Sequence, residues 1–166
     1  TGFSAFKGLE EYVNFDLIAR YKAKFNYVKE LDFLPVAERF YMGGIGSVRG
    51  YESYSLSPKT KDDPTADDGV RRYGGEYSAI NNFELSFPLV PKAKMRFVTY
   101  LDLGYIGTTE KAQDGFNVEN LTRGGYGGGL EWFSPVGPIQ LMFSKPLMQE
   151  AGDKTSVFEF TMGQRF

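Results

Sequence analysis

VNFDLIARYKAKFNY, residues 13–27, alternates almost without fault. Val13, Phe15, Leu17, Ala19, Tyr21, Ala23, Phe25 and Tyr27 are apolar or aromatic. Between them stand Asn14, Asp16, Arg20, Lys22, Lys24 and Asn26, with Ile18 the exception. A period of two over this length predicts a long β-strand with one dry and one wet face, because successive side chains of a strand point to opposite sides. A helix needs apolar spacings of three and four, which this segment lacks.

The alternation recurs downstream. Phe83, Leu85 and Phe87 alternate with Asn82, Glu84 and Ser86; Phe97, Thr99, Leu101, Leu103 and Tyr105 alternate with Arg96, Val98, Tyr100, Asp102 and Gly104. Further strands are predicted at 125–133, from 139 onward and at 156–166, with a short one at 1–6, making seven. Connections at 7–11, 88–94 and 134–138 are short; those at 29–74, 107–122 and 148–155 are longer. No linker divides the chain, so residues 1–166 read as one domain.

Composition narrows the function. The 166 residues include 15 Phe, 11 Tyr and 20 Gly, a strand-and-turn composition. There is no Cys and no His, so disulfides, the usual zinc sites and His-based catalysis are excluded. The net charge of −2 offers no basic footprint for nucleic acid. No apolar run reaches the length of a membrane helix.

Which face is dry decides between a soluble ligand-binding barrel, apolar inside, and a membrane barrel, apolar outside. Membrane strands need about 9–11 residues, ordinary strands average about 5–6, and most strands here are long. Aromatics near strand ends (Tyr12, Tyr27, Tyr105, Trp132, Phe166) suit an interfacial girdle. Short turns alternating with long loops match the periplasmic and outer ends of bacterial barrels. The reading is all-β: an antiparallel transmembrane β-barrel of about seven to eight strands.

The connection 29–74 is too long for a structureless loop in a compact domain. It carries FYMGGIGSVRGYESY, residues 40–54. Gly43, Gly44, Gly46 and Gly50 permit positive φ, so a shaped loop is predicted. After it, residues 57–68 read as an exposed polar excursion. The spacing of Gly44, Gly46 and Gly50, with no helix following, is not that of a nucleotide loop. Asp62, Asp63, Asp67 and Asp68 lack calcium-ligand spacing.

Val48-Arg49-Gly50-Tyr51, preceded by Gly43-Gly44, resembles the inward-folded loop motif of the BamA-like outer-membrane assembly and translocation family. Further resemblances follow in order. They are Gly74-Gly75-Glu76 with Phe83-Glu84-Leu85-Ser86-Phe87-Pro88; Tyr100-Leu101-Asp102-Leu103-Gly104, with Tyr in place of Phe; Trp132-Phe133-Ser134-Pro135-Val136-Gly137-Pro138; and the closing run from Phe158 to Phe166.

The resemblance implies the C-terminal part of a larger family barrel, without the periplasmic POTRA domains and with about half the strands. It implies that the loop folds into the lumen and that Arg49 meets Glu84 and Asp102. Strand parity independently puts both carboxylates on the wet face, and a confined Arg needs such partners. It implies that Phe158, Phe160, Met162, Gly163 and Phe166 form a C-terminal targeting strand and seam. Seven antiparallel strands do not close evenly, which leaves a missed strand, irregular closure or a homo-oligomer open.

The function implied is a non-enzymatic factor that folds and inserts client outer-membrane barrels by offering an edge strand, with no cofactor and no metal. Its partners would be outer-membrane lipids, client barrels and, through the missing periplasmic domains, accessory lipoproteins. The short turns and C-terminus would be periplasmic. Alternatives are a two-partner-secretion translocator of the same superfamily and a soluble ligand-binding barrel.

Overall fold

A computed structural model describes residues 1–28, 35–60, 71–109 and 118–163. Among the described residues nine strands are formed: β1 (Gly2–Gly8), β2 (Ile18–Tyr27), β3 (Lys59–Thr60), β4 (Arg71–Arg72), β5 (Tyr77–Val90), β6 (Met95–Gly107), β7 (Leu121–Ser134), β8 (Gly137–Pro146) and β9 (Phe158–Met162). Seven of them make one sheet in the order β1-β2-β5-β6-β7-β8-β9, antiparallel at every step. Strands β3 and β4 pair separately. Within the described residues the sheet does not close on itself, and β1 and β9 are its two edges.

The hairpins are staggered. Strands β1 and β2 end at Gly8↔Ile18, level with Ser86 of β5. The β5–β6 hairpin continues beyond that level to Val90↔Met95. At the opposite end, β8–β9 pairing stops at Phe143↔Phe158, a row that traces back through Gly128, Thr99 and Leu85 to Ala19. A row of paired residues therefore climbs from the short-turn end at β1 toward the long-loop end at β9, the tilt and shear of a barrel wall.

The first half of residues 13–27 departs from the expected strand. Glu10–Val13 is a helical turn, α1, closed by Asn14 in the left-handed region. The chain then folds back so that Leu9 N donates to Leu17 O, and β2 begins at Ile18. Val13 and Phe15 are apolar for a different reason: both are exposed, and the Phe15 ring lies 5.9 Å from Phe87 at the short-turn rim. Aromatics of an interfacial rim imitate a strand's alternation.

Three other bounds shift. Pro88, Leu89 and Val90 belong to β5, and the turn itself is the short 3₁₀ segment Pro91–Ala93. Strand β7 begins at Leu121, four residues earlier than the alternation indicates. The terminal strand β9 spans only Phe158–Met162, ending at Gly163 with φ +108°. The excursion expected at 57–68 begins buried: Ser57 and Lys59 are nearly inaccessible. Asp62, Asp63, Asp67 and Asp68 lie outside the described residues, as does Phe166.

The dry face carries exposed Phe83, Leu85, Leu101, Tyr105, Tyr126 and Trp132. The other face is not wholly polar. Ile80, Ile106 and Leu121 point there and form a small core with Met42, Val48, Tyr51 and Leu56 of the segment 35–60. This strap lies across the inner face as a loop with its own apolar underside. Burying Met42, Val48 and Leu56 stabilises its docking by roughly 1.5–3 kcal/mol each.

Candidate functional site

The strap is shaped by a tight turn. Gly43 N donates to Ser47 Oγ at 3.2 Å, and Gly44 N donates to Val48 O at 3.1 Å. This presents Val48, Arg49, Gly50 and Tyr51 to the sheet, and all four are buried. Gly50 has φ +97°, and a Cβ there would stand 3.1 Å from the Lys145–Pro146 backbone. On the adjacent strand, a Cβ at Gly125, the pairing partner of Pro146, would lie 1.8 Å from Arg49 O. The glycine-rich run of β7 is the floor on which the strap backbone rests.

Arg49 meets β6 and β5 together. Its Nε donates to Asp102 Oδ2 at 2.7 Å, its Nη2 to Oδ1 at 2.6 Å, and its backbone N to Oδ2 at 3.0 Å. Nη1 lies 2.9 Å from Glu84 Oε1. The guanidinium also sits over the Tyr100 ring, 3.5 Å from its centroid. Asp102 takes a further bond from Asn82 Nδ2 at 2.8 Å, and that amide also donates to Ser47 O. Asp102 is completely buried, and its surroundings are donors, as a buried carboxylate requires.

The ion pairs continue beyond Arg49. Glu84 Oε2 lies 3.1 Å from Arg20 Nε and 3.5 Å from Lys22 Nζ. Arg20 Nη2 reaches Glu131 Oε2 at 2.9 Å, and Gln140 Nε2 donates to Glu131 Oε1 at 3.0 Å. The Arg20–Glu131 pair joins β2 to β7 over the two intervening strands, across the hollow of the sheet. Charges of both signs thus interlock along one wall.

A second cluster holds the strap to the connection between β8 and β9. Tyr51 OH is within donating reach of the carbonyls of Gly124 and Met148. Glu52 N donates to Lys154 O and Ser156 N to Gly50 O. Below them, Lys59 Nζ donates to Asp153 Oδ1 at 2.9 Å and Arg123 Nε to Asp153 Oδ2 at 2.7 Å. Burial works against the Asp153 carboxylate, but the bonds from Arg123, the Glu150 backbone and Lys59 outweigh it and hold its pKa below the usual value. Burial, reinforced by the nearby Asp153, pushes the Tyr51 phenol up to about 12.

The structure therefore brings together Arg49, Glu84 and Asp102 and separates them from Phe158, Phe160 and Met162, which are exposed on the dry face of β9. Sequence reasoning did not single out Asn82, Tyr100, Glu131, Lys59, Arg123 or Asp153. Parity could have found the first two, which stand on the inner face two residues before Glu84 and Asp102.

Over residues 1–166 the chain matches the profile of the Omp85 superfamily domain. It is 35% identical over 135 residues to the outer membrane protein assembly factor BamA of Nitratidesulfovibrio vulgaris, covering 80% of this chain and 16% of that relative. To the BamA of Neisseria meningitidis serogroup B it is 33% identical over 158 residues, covering 80% and 19%. The chain spans less than a fifth of the length of these curated relatives. A solved structure of BamA from Haemophilus ducreyi lacking POTRA domains 1-3 superposes with a TM-score of 0.79 at 22% identity, over 96% of this chain and 33% of that one. That likeness is one of fold.

Proposed function

The chain belongs to the Omp85 superfamily, and on that footing we propose that it is the strap-bearing wall of an outer-membrane protein assembly factor. It folds and inserts client barrels by edge-strand templating, with no covalent chemistry. Its place is the bacterial outer membrane, short turns toward the periplasm. The observation that carries the reading is the docking of Arg49 onto Asp102 and Glu84, which braces the wall from inside while β9 is an edge of the sheet among the described residues. The edge offers unpaired backbone groups to an incoming strand, and pairing supplies affinity without a dedicated side-chain pocket. Client barrels are the partners; accessory lipoproteins would be reached through periplasmic domains outside this chain.

The test is to reconstitute the chain in lipid vesicles and follow insertion of a small unfolded client barrel by its heat-modifiable migration. Faster insertion than in vesicles holding an unrelated barrel, reduced by Arg49→Glu, is expected. Equal rates in both vesicles would overturn the reading.

A further inference from the structure

The dry face is not evenly corrugated. One row of paired residues, Ala5, Tyr21, Phe83, Leu101 and Tyr126, forms a ridge, with the Tyr21 and Phe83 rings stacked 4.9 Å apart. Another ridge runs through Phe87 and Phe97, whose rings are 5.3 Å apart. Between them lies the row Lys7, Ala19, Leu85, Thr99 and Gly128, short-chained at three of its five positions. A trough of about 620 Å³ is lined by Ala19, Leu85 and Thr99 of this row and by Tyr21, Phe83 and Leu101 of the first ridge, with Phe87 and Phe97 outside its lining; its volume is within the usual range of about 300–1,000 Å³ for ligand sites.

Its direction and its end are informative. The row climbs from the short-turn end at β1 toward the long-loop end, because the hairpins are staggered. A hydrocarbon chain lying in it therefore runs from the inner rim into the bilayer. At the lower end stands Lys7, one residue before β1 ends, with its ammonium 5.0 Å from the centroid of the Tyr12 ring on α1. Among the described residues no carboxylate pairs with it. Tyr12 is 70% exposed at that rim. This is a lysine drawn toward the headgroup layer, its ammonium over an aromatic ring and with no carboxylate partner among the described residues.

We infer that the trough is a binding site for a glycerophospholipid of the inner leaflet. One acyl chain lies over Ala19 and Thr99 beside the Tyr21–Phe83 ridge, and the phosphate pairs with Lys7. The inference rests on the membrane-barrel reading above and adds a defined lipid to it.

The test uses the full chain refolded in phosphatidylethanolamine vesicles containing a minor share of phosphatidylglycerol that carries a diazirine midway along one acyl chain. Photolabelled residues are mapped by mass spectrometry. Insertion is checked separately by quenching of Trp132 with brominated lipid. Labels are expected to concentrate on Tyr21, Phe83, Leu85 and Leu101. Thr99→Phe, which fills the trough, should cut them several-fold while labelling near Tyr105, exposed on the same face and off this row, stays constant. Lys7→Gln should lower labelling about five-fold, the effect of one basic side chain near an anionic lipid surface. It should leave labelling by a diacylglycerol with the same diazirine unchanged.

Labelling that merely follows exposure across the face, indifferent to Thr99→Phe, would overturn the site while a quenched Trp132 leaves the barrel standing. A folded chain whose Trp132 is not quenched would remove both.

Discussion

Arg49 and Asp102 are joined by three hydrogen bonds, two from the guanidinium and one from the Arg49 backbone N–H. The third makes the pair directional. Asp102 is held as an acceptor by a main-chain donor, which cannot change sign, and by Asn82, whose NH2 is kept facing it by a second bond to Ser47 O.

Asp102→Asn should therefore cost about 3–5 kcal/mol of strap-docking stability, since it leaves a buried guanidinium short of its main partner. Glu84→Gln should cost less, because Arg49 keeps Asp102. Exchanging the charges, Arg49→Asp with Asp102→Arg, should give no full rescue: the new guanidinium would face the residue 49 N–H, a fixed donor, and could take the Asn82 oxygen only if that amide gave up its bond to Ser47 O. Denaturant titration of the refolded chain with strap proteolysis as the probe measures each. Full rescue by the exchange would show that charge alone holds the strap.

Gly125→Ala should expel the strap without disturbing the sheet. The added methyl would lie 1.8 Å from Arg49 O, against backbone that cannot yield. Gly128→Ala, on the dry face of the same strand, meets the Phe97 ring edge at 3.0 Å and Val98 O at 3.2 Å, contacts that a small adjustment relieves. Limited proteolysis should cut within 40–54 in the first variant and not in the second. Equal protection in both would mean the strap does not rest on β7.

Much of this arrangement is written in local pattern. Alternation marks β5, β6 and β8 because each has one face in lipid and the other toward the strap, so every side chain is sorted by parity. It misleads at Val13 and Phe15, where the interfacial rim selects apolar residues without a strand. Parity places Glu84 and Asp102 on the inner face, yet it is blind to what covers that face. Ile80 and Ile106 break the polar pattern because Met42 and Val48 of the strap pack on them. The Lys59–Asp153–Arg123 cluster joins residues up to 94 positions apart. No motif marks it, because only the docked strap brings Lys59 to the β8–β9 connection.

Tyr51→Phe should loosen the strap from the β8–β9 connection by about 1–3 kcal/mol, since the Gly124 and Met148 carbonyls lose a shared buried donor. The same burial predicts an alkaline signature. With its pKa raised to about 12, the Tyr51 phenol favours the protonated folded state. Its contribution is complete below the ordinary phenol value of about 10 and is lost as pH rises through the folded value. Subtracting the ultraviolet titration of Tyr51→Phe from that of the parent chain should isolate one late-ionising phenol. A difference titration with its midpoint at the ordinary phenol value of about 10 would place the hydroxyl in water.

Acid should undo the same cluster from its carboxylate side. Asp153 has a folded-state pKa below its ordinary value, so the folded state binds fewer protons there than the unfolded one. Its stabilisation is full above the ordinary carboxylate value of about 3.9 and drains away as pH falls through the lowered folded value. Lys59 and Arg123 then lose their shared acceptor, and the strap separates from the β8–β9 connection where Glu52 N meets Lys154 O and Ser156 N meets Gly50 O. Hydrogen exchange at the Glu52 and Ser156 amides, corrected for intrinsic rates, should show protection falling below about pH 4. Asp153→Asn should exchange faster at neutral pH and respond less to acid. An acid response unchanged in that variant would assign the transition to another carboxylate.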